Sequence, residues 1–234
     1  MPQTALVTGA TEGIGRAIAF SLGNAGYQVG VCARDAAKVA TLLQELANAG
    51  VTAAGRPCDV GDPAQVDALV VHVTEKLGPI DVLVNNAGVG ILKPFAELTL
   101  ADWDATMATN VRSLFLTTRA VLPGMRQRKS GAVVNISSLS GKRGFVGGAA
   151  YAASKHAVMG FSESLMLEVR KEGVRVITIC PGSVDTKIIH QQSVFESDPA
   201  KILQPEDVAA VVLTALQLPA RATVSEIDIR PANP

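Results

Sequence analysis

The sequence has few cysteines, few histidines and no excess charge of either sign. Its three cysteines, Cys32, Cys58 and Cys180, lie far apart and form no CxxC pair, which predicts reduced thiols in a cytoplasmic protein. The three histidines do not cluster, so we expect no metal site. Basic and acidic residues balance at 21 each, so overall charge gives no reason to expect a nucleic acid or a membrane as partner.

Long hydrophobic runs are also absent. No apolar stretch approaches the ~20 residues of a membrane span, and the start, MPQTALVTGA, is too short and too polar for a signal peptide. Aromatic residues make up only 4% of the chain, but all hydrophobic residues together make up 48% of its 234 residues. The sequence can therefore bury a substantial core, and disorder is not expected.

Short apolar runs alternate with helical patterns along the chain. The runs that predict strands are 4–8, 28–33, 51–57, 80–85, 131–137, 174–180 and 224–229. The windows that predict helices are about 14–25, 36–49, 63–77, 101–128, 150–172 and 205–217. This alternation predicts an α/β fold with a doubly wound, seven-stranded parallel sheet, helices on both faces, and one domain over 1–234. The polar segment at about 183–204 has no clear period and predicts a loop over the substrate.

A glycine-rich turn, VTGATEGIGRAIAF, follows the first predicted strand and opens a helix. Glycines at Gly9, Gly13 and Gly15 allow a tight turn and a close approach of a pyrophosphate to the helix N-terminus. An ordinary strand-to-helix turn is the alternative. The spacing is neither GxGxxG nor a Walker loop, since no GK[ST] follows. Its position at the first strand–helix crossing favours a nucleotide.

The spacing Thr-Gly-x-x-x-Gly-x-Gly resembles that of the classical short-chain dehydrogenase/reductase family. Further motifs resemble the family's in order: CDV at 58–60, NNAG at 85–88, a serine followed by Tyr-x-x-x-Lys, and CPGSVDT at 180–186. The resemblance covers nearly the whole chain. It implies a Rossmann fold and an NADP-dependent oxidoreductase that reduces a carbonyl reversibly. The ending SEIDIRPANP looks more like general carbonyl and 3-hydroxy-acid reductases than typical 3-oxoacyl-carrier-protein reductases.

The end of the second predicted strand bears on the choice of nucleotide. An acid there would bind the ribose 2′-hydroxyl of NAD, but the position holds Ala33. Arg34 follows, where NADP-preferring family members carry a base, and its guanidinium suits a 2′-phosphate. Asp35 could reach a ribose, although a helix N-cap is the better reading. Glu12 stands where such relatives often carry a base. We expect NADP(H) rather than NAD(H).

The resemblance also implies which residues contact the cofactor. Asp59 and Val60 would meet the adenine, Pro181 and Gly182 one face of the nicotinamide, and the pro-S hydride would be transferred. Turn formation and helix capping are the alternative roles of these segments. The implied cofactor residues are Gly9, Thr11, Gly13, Ile14, Gly15, Arg34, Asp59, Val60, Asn86, Ala87, Gly88, Tyr151, Lys155, Pro181, Gly182, Val184 and Thr186.

Tyr151 and Lys155 are the candidate catalytic pair. Carbonyl reduction needs a proton donor, and residues four apart lie on one face of a helix. A neighbouring cation stabilises a phenolate and lowers a tyrosine pKa from its usual ~10. A surface helix pair is the alternative, because YxxxK alone is a weak motif.

Two further residues complete the set that the resemblance implies. Ser138 stands thirteen residues before Tyr151, at the end of the fifth predicted strand, and would orient the substrate oxygen. Ser137 and Ser140 are its rivals. Asn110 would hold a helix distortion and a water chain to Lys155.

The substrate is expected to enter beside segments 88–94, 140–148 and 183–204. Lys142 and Arg143 suit an anionic substrate or an acyl carrier protein. The expected apolar lining is Ile91, Leu92, Phe145, Val146, Ile188 and Ile189. The outer faces of the two long predicted helices, 101–128 and 150–172, are small or apolar and predict self-association, and the family resemblance implies a homodimer or homotetramer. Two alternatives stay open: a 3-oxoacyl-carrier-protein reductase of fatty-acid synthesis, and a non-catalytic NADP(H)-sensing or scaffold protein.

Overall fold

The computed structural model describes residues 2–190, 201–219 and 221–232. Seven parallel strands form one sheet in the order β3-β2-β1-β4-β5-β6-β7, which confirms the predicted doubly wound topology. The order reverses between β1 and β4, where a crevice opens at the carboxyl ends of the strands. The strands are β1 (Thr4–Thr8), β2 (Gln28–Ala33), β3 (Ala53–Pro57), β4 (Ile80–Asn85), β5 (Gly131–Ile136), β6 (Val174–Pro181) and β7 (Glu226–Ile229).

Helices cover both faces of this sheet. Because successive strand residues face opposite sides, Ala5 and Val7 of β1 enter one hydrophobic cluster and Leu6 enters the other. Asp35 and Asp62 each accept two backbone N–H bonds at a helix start, so the predicted N-cap role of Asp35 is confirmed. The helices are α1 (Gly13–Asn24), α2 (Ala36–Asn48), α3 (Pro63–Leu77), α4 (Leu100–Met107), α5 (Ser113–Arg128), α6 (Ala149–Val169), α7 (Lys187–His190) and α8 (Pro205–Gln217).

The predicted helix 101–128 is two helices. A π-helical turn, Ala108–Arg112, separates α4 from α5. The predicted helix 150–172 ends earlier, in a 3₁₀ turn at Arg170–Glu172. The third and last strands also start two residues later than predicted, at Ala53 and Glu226. None of the helices in the described ranges is long and apolar enough to cross a membrane.

The predicted irregular segment 183–204 has regular structure in its described part, and its residues 191–200 lie outside the described ranges. Val184 and Leu203 form a parallel β-bridge, in which the amide of Asp185 donates to the carbonyl of Leu203 across 2.8 Å. The short helix α7 lies on the same segment. The described part of the segment thus contains one isolated β-bridge and one short helix next to bends, and its side-chain pattern predicted neither of them.

Candidate active site

Hydrogen bonds join the glycine-rich turn to the residues that follow β4. The side chain of Asn86 donates hydrogen bonds to the carbonyl oxygens of Thr8 (3.0 Å) and Gly9 (3.1 Å). A Cβ at Gly9, which has φ +62°, would lie 2.8 Å from the Cα of Ala87. A Cβ at Gly15 would lie 2.3 Å from the carbonyl oxygen of Gly9. The NNAG segment and the turn thus pack so closely that only glycine fits at both positions.

A cleft of about 750 Å³ extends from this turn along the carboxyl ends of the strands. Its volume lies within the usual range for cofactor sites. Most of the residues expected to contact the cofactor line it: Gly9, Thr11, Gly13, Ile14, Arg34, Asp59, Val60, Asn86, Ala87, Gly88, Tyr151, Lys155 and Thr186.

Four of the expected cofactor residues do not line this cleft. Gly15 packs beneath the turn against Gly9, and Pro181 is buried. Gly182 lines a neighbouring cavity. Val184 is 4% exposed and belongs to the hydrophobic core, so only its backbone is left for a cofactor contact.

Basic side chains surround Glu12 at one end of the cleft. Its carboxylate binds the ammonium groups of Lys187 (3.1 Å) and Lys38 (3.3 Å). Partial burial raises the pKa of Glu12, but the bonds from Lys187 and Lys38 outweigh that effect and the pKa is lowered. Arg34 lines the same end. Neither lysine was among the predicted cofactor residues, although Lys38 lies in the first turn of α2, only four residues after Arg34.

This end of the cleft has the chemistry of a dinucleotide site. The turn, in which Gly9 and Gly13 lack a Cβ atom, leads into the N-terminus of α1, which offers free N–H groups to a pyrophosphate. Arg34 and Lys38 add positive charge where the second strand ends. The residues present therefore fit a phosphate-rich nucleotide cofactor.

Tyr151 and Lys155 lie on one face of α6, as predicted. The Lys155 ammonium is 5.7 Å from the centre of the Tyr151 ring and donates a hydrogen bond to the carbonyl of Ile136 across 2.9 Å. Burial lowers the pKa of Lys155 to about 8. Burial also raises the pKa of Tyr151, and a hydrogen bond from Ser138 lowers it only in part. The expected lowering of the Tyr151 pKa is therefore not found, because burial of the hydroxyl dominates.

The three candidate serines have different surroundings. The Ser138 hydroxyl donates to the backbone carbonyl of Pro181 across 3.5 Å, accepts a hydrogen bond from the backbone N–H of Ser140 across 3.1 Å, and is close enough to Tyr151 to lower its pKa. Ser137 is 3% exposed, and its hydroxyl donates to the backbone carbonyl of Lys155. Ser138 is thus the serine whose hydroxyl stands beside the tyrosine, while Ser137 supports the helix.

Asn110 lies inside the π-helical turn and is 4% exposed. Its side-chain NH₂ donates to the carbonyl of Val89 (2.9 Å) and to the hydroxyl of Ser154 (3.0 Å). Its side-chain oxygen accepts from the N–H of Val89 across 2.8 Å. Asn110 does not line the cleft. It connects the wall of the cleft to α6.

A second cavity of about 380 Å³ adjoins the cleft. Tyr151 and Ile188 line both spaces, and Ser138 lines the smaller one. Four of the residues expected to form an apolar lining are there: Leu92, Phe145, Ile188 and Ile189. Val146 is 89% exposed, and Ile91 is not among the lining residues, so these two expectations are wrong. The tyrosine hydroxyl thus stands between a nucleotide-sized cleft and a smaller, mostly apolar cavity.

This chain is similar in sequence and in structure to proteins of known family. The family model described as short chain dehydrogenase matches residues 3–196. A putative ketoacyl reductase of Streptomyces coelicolor is 42% identical in an alignment of 230 positions that covers 90% of this chain and 88% of that protein. An actinorhodin polyketide ketoreductase crystallised with NADPH has a TM-score of 0.91 at 39% identity, over 97% of this chain and 95% of its own. A metagenomic short-chain oxidoreductase in complex with NADP has a TM-score of 0.86 at 38% identity, over 98% of this chain and 97% of its own.

Proposed function

Because the chain belongs to the short chain dehydrogenase family, we propose that it reduces a ketone to a secondary alcohol with Tyr151 as the proton donor. The chain is a dehydrogenase/reductase of the CH–OH/C=O type, and its cofactor is NADP(H). The observation that supports the role of Tyr151 is its position where the cofactor-sized cleft meets the smaller cavity, which Ser138 also lines.

NADPH, when bound, supplies a hydride to the carbonyl carbon. Ser138 donates a hydrogen bond to the carbonyl oxygen and orients it, and Tyr151 gives its proton to the oxygen as negative charge develops. The raised pKa of Tyr151 keeps the hydroxyl protonated at neutral pH, which is the state that reduction requires. The Lys155 ammonium then stabilises the phenolate that remains. In alcohol oxidation the same groups act in reverse.

Asn110 acts on the reaction through other residues. It fixes α6 through Ser154 and fixes the chain beside Gly88 through Val89. Tyr151 and the wall of the cleft are thereby held in one arrangement. Asn110 is therefore a positioning residue in this proposal.

The smaller cavity accommodates the substrate. Its volume lies near the lower end of the range for small-molecule sites, which favours a compact ketone. The ketoacyl reductases among the relatives make a 3-oxoacyl thioester the second candidate, with an acyl carrier protein as its carrier. The intact set of Ser138, Tyr151, Lys155 and Asn110 argues against a non-catalytic sensor, which needs none of these groups.

Self-association is a further part of the proposal. Phe115 on α5 and Leu167 on α6 are 48% and 55% exposed. Apolar side chains exposed on two long helices favour a homodimer or homotetramer.

The test of the proposed function is Tyr151→Phe. We expect NADPH to bind with unchanged affinity, measured by its fluorescence, while turnover falls by about 10²–10⁴, the usual contribution of a general acid. Tyr27→Phe is the matched control, because Tyr27 is the other of the two tyrosines and packs against the core away from the cleft. Ketones, 3-oxo acids and 3-oxoacyl thioesters should be assayed. Near-normal turnover of any substrate by Tyr151→Phe would remove Tyr151 from this role.

A further inference from the structure

The smaller cavity combines apolar walls with basic side chains. Arg143 and Arg230 are its charged lining residues, and within the described ranges no aspartate or glutamate lines it. A neutral ketone would need the apolar walls and the hydroxyls of Ser138 and Tyr151, but it would have no use for an arginine. Two guanidinium groups at the wall therefore need an explanation in terms of the ligand.

Lys142 was expected to help attract an anion, but its charge is already paired. Its ammonium binds the carboxylates of Glu226 and Asp228, and these bonds raise its pKa above the usual value. The two carboxylates and the Cys180 thiol lie close enough together to bind a metal ion, but the ammonium of Lys142 already pairs with both carboxylates. Lys142 therefore joins the β5–α6 connection to β7 and is not available to a substrate.

Arg230 is also paired. One of its terminal nitrogens lies 3.3 Å from a carboxylate oxygen of Asp228. The pKa of Asp228 is lowered, chiefly by its bond from Lys142 and further by Arg230. Arg230 thus shares Asp228 with Lys142, and its charge is partly neutralised.

Arg143 belongs to a charged cluster of three cations, Lys142, Arg143 and Arg230, and two carboxylates, Glu226 and Asp228. The cluster therefore has one more cation than it has carboxylates. In the part of the chain that the structure describes, Arg143 makes no ion pair, whereas the other two do. Its side chain is exposed to solvent yet lines the cavity, so the guanidinium can meet a ligand without a large desolvation cost.

We propose that the substrate is a small oxo acid whose free carboxylate binds Arg143 while its ketone lies against Ser138 and Tyr151. This inference rests on the proposed function and names the substrate class of the same site. An arginine fork binds a carboxylate through two parallel hydrogen bonds, and that geometry fixes which face of the ketone is presented. The apolar lining, including Leu92, Phe145 and Ile188, packs against the carbon chain between the two polar groups. In the oxidising direction the substrate is the corresponding hydroxy acid.

The test compares each acid with its neutral ester. Acetoacetate and levulinate, each beside its methyl ester, are reduced with NADPH by the parent protein, Arg143→Gln and Arg143→Lys. We expect the parent to prefer each acid in kcat/KM by about tenfold, the effect of about 1.4 kcal/mol of binding. Arg143→Gln should remove that preference through KM and leave the esters within about twofold, while Arg143→Lys should restore part of it. Raising the salt concentration should lower the acid preference of the parent and of Arg143→Lys, while Arg143→Gln has no preference left to lose.

Lys171→Gln is the charge-matched control. Lys171 is exposed in the 3₁₀ turn before β6, at the amino ends of the strands and so opposite the cleft. Its replacement should therefore leave the acid preference unchanged. Equal reduction of acid and ester by the parent would overturn the proposal. So would an equal loss on both substrates in Arg143→Gln, or reduction of the acetoacetyl thioester of N-acetylcysteamine alone.

Calorimetry separates this inference from the proposed function. Levulinate is titrated into the parent and Arg143→Gln, each saturated with NADP⁺. If no carbonyl compound is turned over but levulinate binds in a way that depends on Arg143, the proposed reaction fails and the anion site stands. If esters are reduced while levulinate neither binds nor reacts, the reaction stands and the anion site fails.

Discussion

The side chain of Asn110 donates a hydrogen bond to the hydroxyl of Ser154 across 3.0 Å, joining the π-helical turn to the helix of Tyr151. The Ser154 hydroxyl in turn donates to the backbone carbonyl of Tyr151 across 2.7 Å. Two bonds thus run from a residue outside the cleft to the backbone of the proposed proton donor. A third and a fourth hold Val89 beside the cofactor cleft.

Asn110→Ala should therefore impair catalysis without removing a group that touches the substrate. It removes both side-chain partners of the Val89 backbone and one of the two bonds of the Ser154 hydroxyl, which costs about 1–3 kcal/mol of stability. We expect kcat to fall by about 10²-fold, because small displacements of catalytic groups have effects of that size. The affinity for NADPH should change by less than about threefold. Steady-state kinetics and chemical denaturation measure the two effects.

Asn135→Ala is the matched control for this loss. Asn135 is fully buried on β5, accepts a hydrogen bond from Asn85 and donates one to Ser162 of α6, so it resembles Asn110 in burial and bonding. It does not line the cleft. We expect a similar loss of stability with kcat nearly retained. Equal losses of kcat in both variants would show that Asn110 has only a structural role.

The sequence predicted those parts of the site that depend on neighbouring residues. The glycine turn and the pair Tyr151 and Lys155 were found because their chemistry requires a fixed local spacing. The doubly wound parallel sheet followed from the alternation of strands and helices, since right-handed crossovers leave few topologies. The helix distortion that the resemblance implied at Asn110 is the π-helical turn Ala108–Arg112. The apolar pattern alone predicted one continuous helix, because a π-helical turn adds one residue and barely disturbs that pattern.

Contacts between distant parts of the chain were not predictable. Glu12 binds Lys38, 26 residues away, and Lys187, 175 residues away. Likewise, the pairing of Lys142 with Glu226 and Asp228 depends on where β7 lies beside β6. Charged residues on loops have no period, so only the fold shows which of them meet.

Arg34→Ala should weaken the binding of NADPH but not that of NADH. Arg34 lines the cleft at the end of β2, and we propose that its guanidinium binds the 2′-phosphate of NADPH there. We expect the Kd of NADPH to rise by about tenfold or more, and that of NADH by less than about twofold, in fluorescence titrations. Arg56→Ala is the control, since Arg56 is exposed at the end of β3 and does not line the cleft. Equal weakening of both nucleotides would contradict recognition of the phosphate by Arg34.

Gly9→Ala should disrupt the cofactor site through a steric clash. The new Cβ would lie 2.8 Å from the Cα of Ala87, so the turn must move away from the NNAG segment. Gly26→Ala is the control, because Gly26 also has a positive φ, +92°, but nothing lies within 4 Å of its missing Cβ. Backbone strain of about 1–2 kcal/mol is common to both variants. Only Gly9→Ala should lose NADPH affinity and further stability, and equal behaviour of the two variants would show that the contact with Ala87 is unimportant.

Lys155→Met should make the protein more stable and inactive. Burial lowers the pKa of Lys155 to about 8 from its usual 10.5, which corresponds to about 3 kcal/mol by which folding disfavours the charged form. Below pH 8 both the folded and the unfolded chain keep the proton, and this penalty is present in full. Methionine removes the cost of burying the ammonium and fills similar space. The lost hydrogen bond to the carbonyl of Ile136 makes the increase in the free energy of unfolding smaller.

The pH dependence of unfolding identifies this cause. Between pH 8 and 10.5 the unfolded chain keeps a proton on Lys155 that the folded chain has released, so the free energy of unfolding of the parent rises with pH. Lys155→Met lacks that rise, and its advantage at pH 7 should shrink towards pH 10.5. Lys171→Met, at an exposed position, should match the parent at every pH. If Lys155→Met is less stable than the parent at pH 7, the buried ammonium stabilises the fold. The prediction that burial of Lys155 costs stability is then wrong.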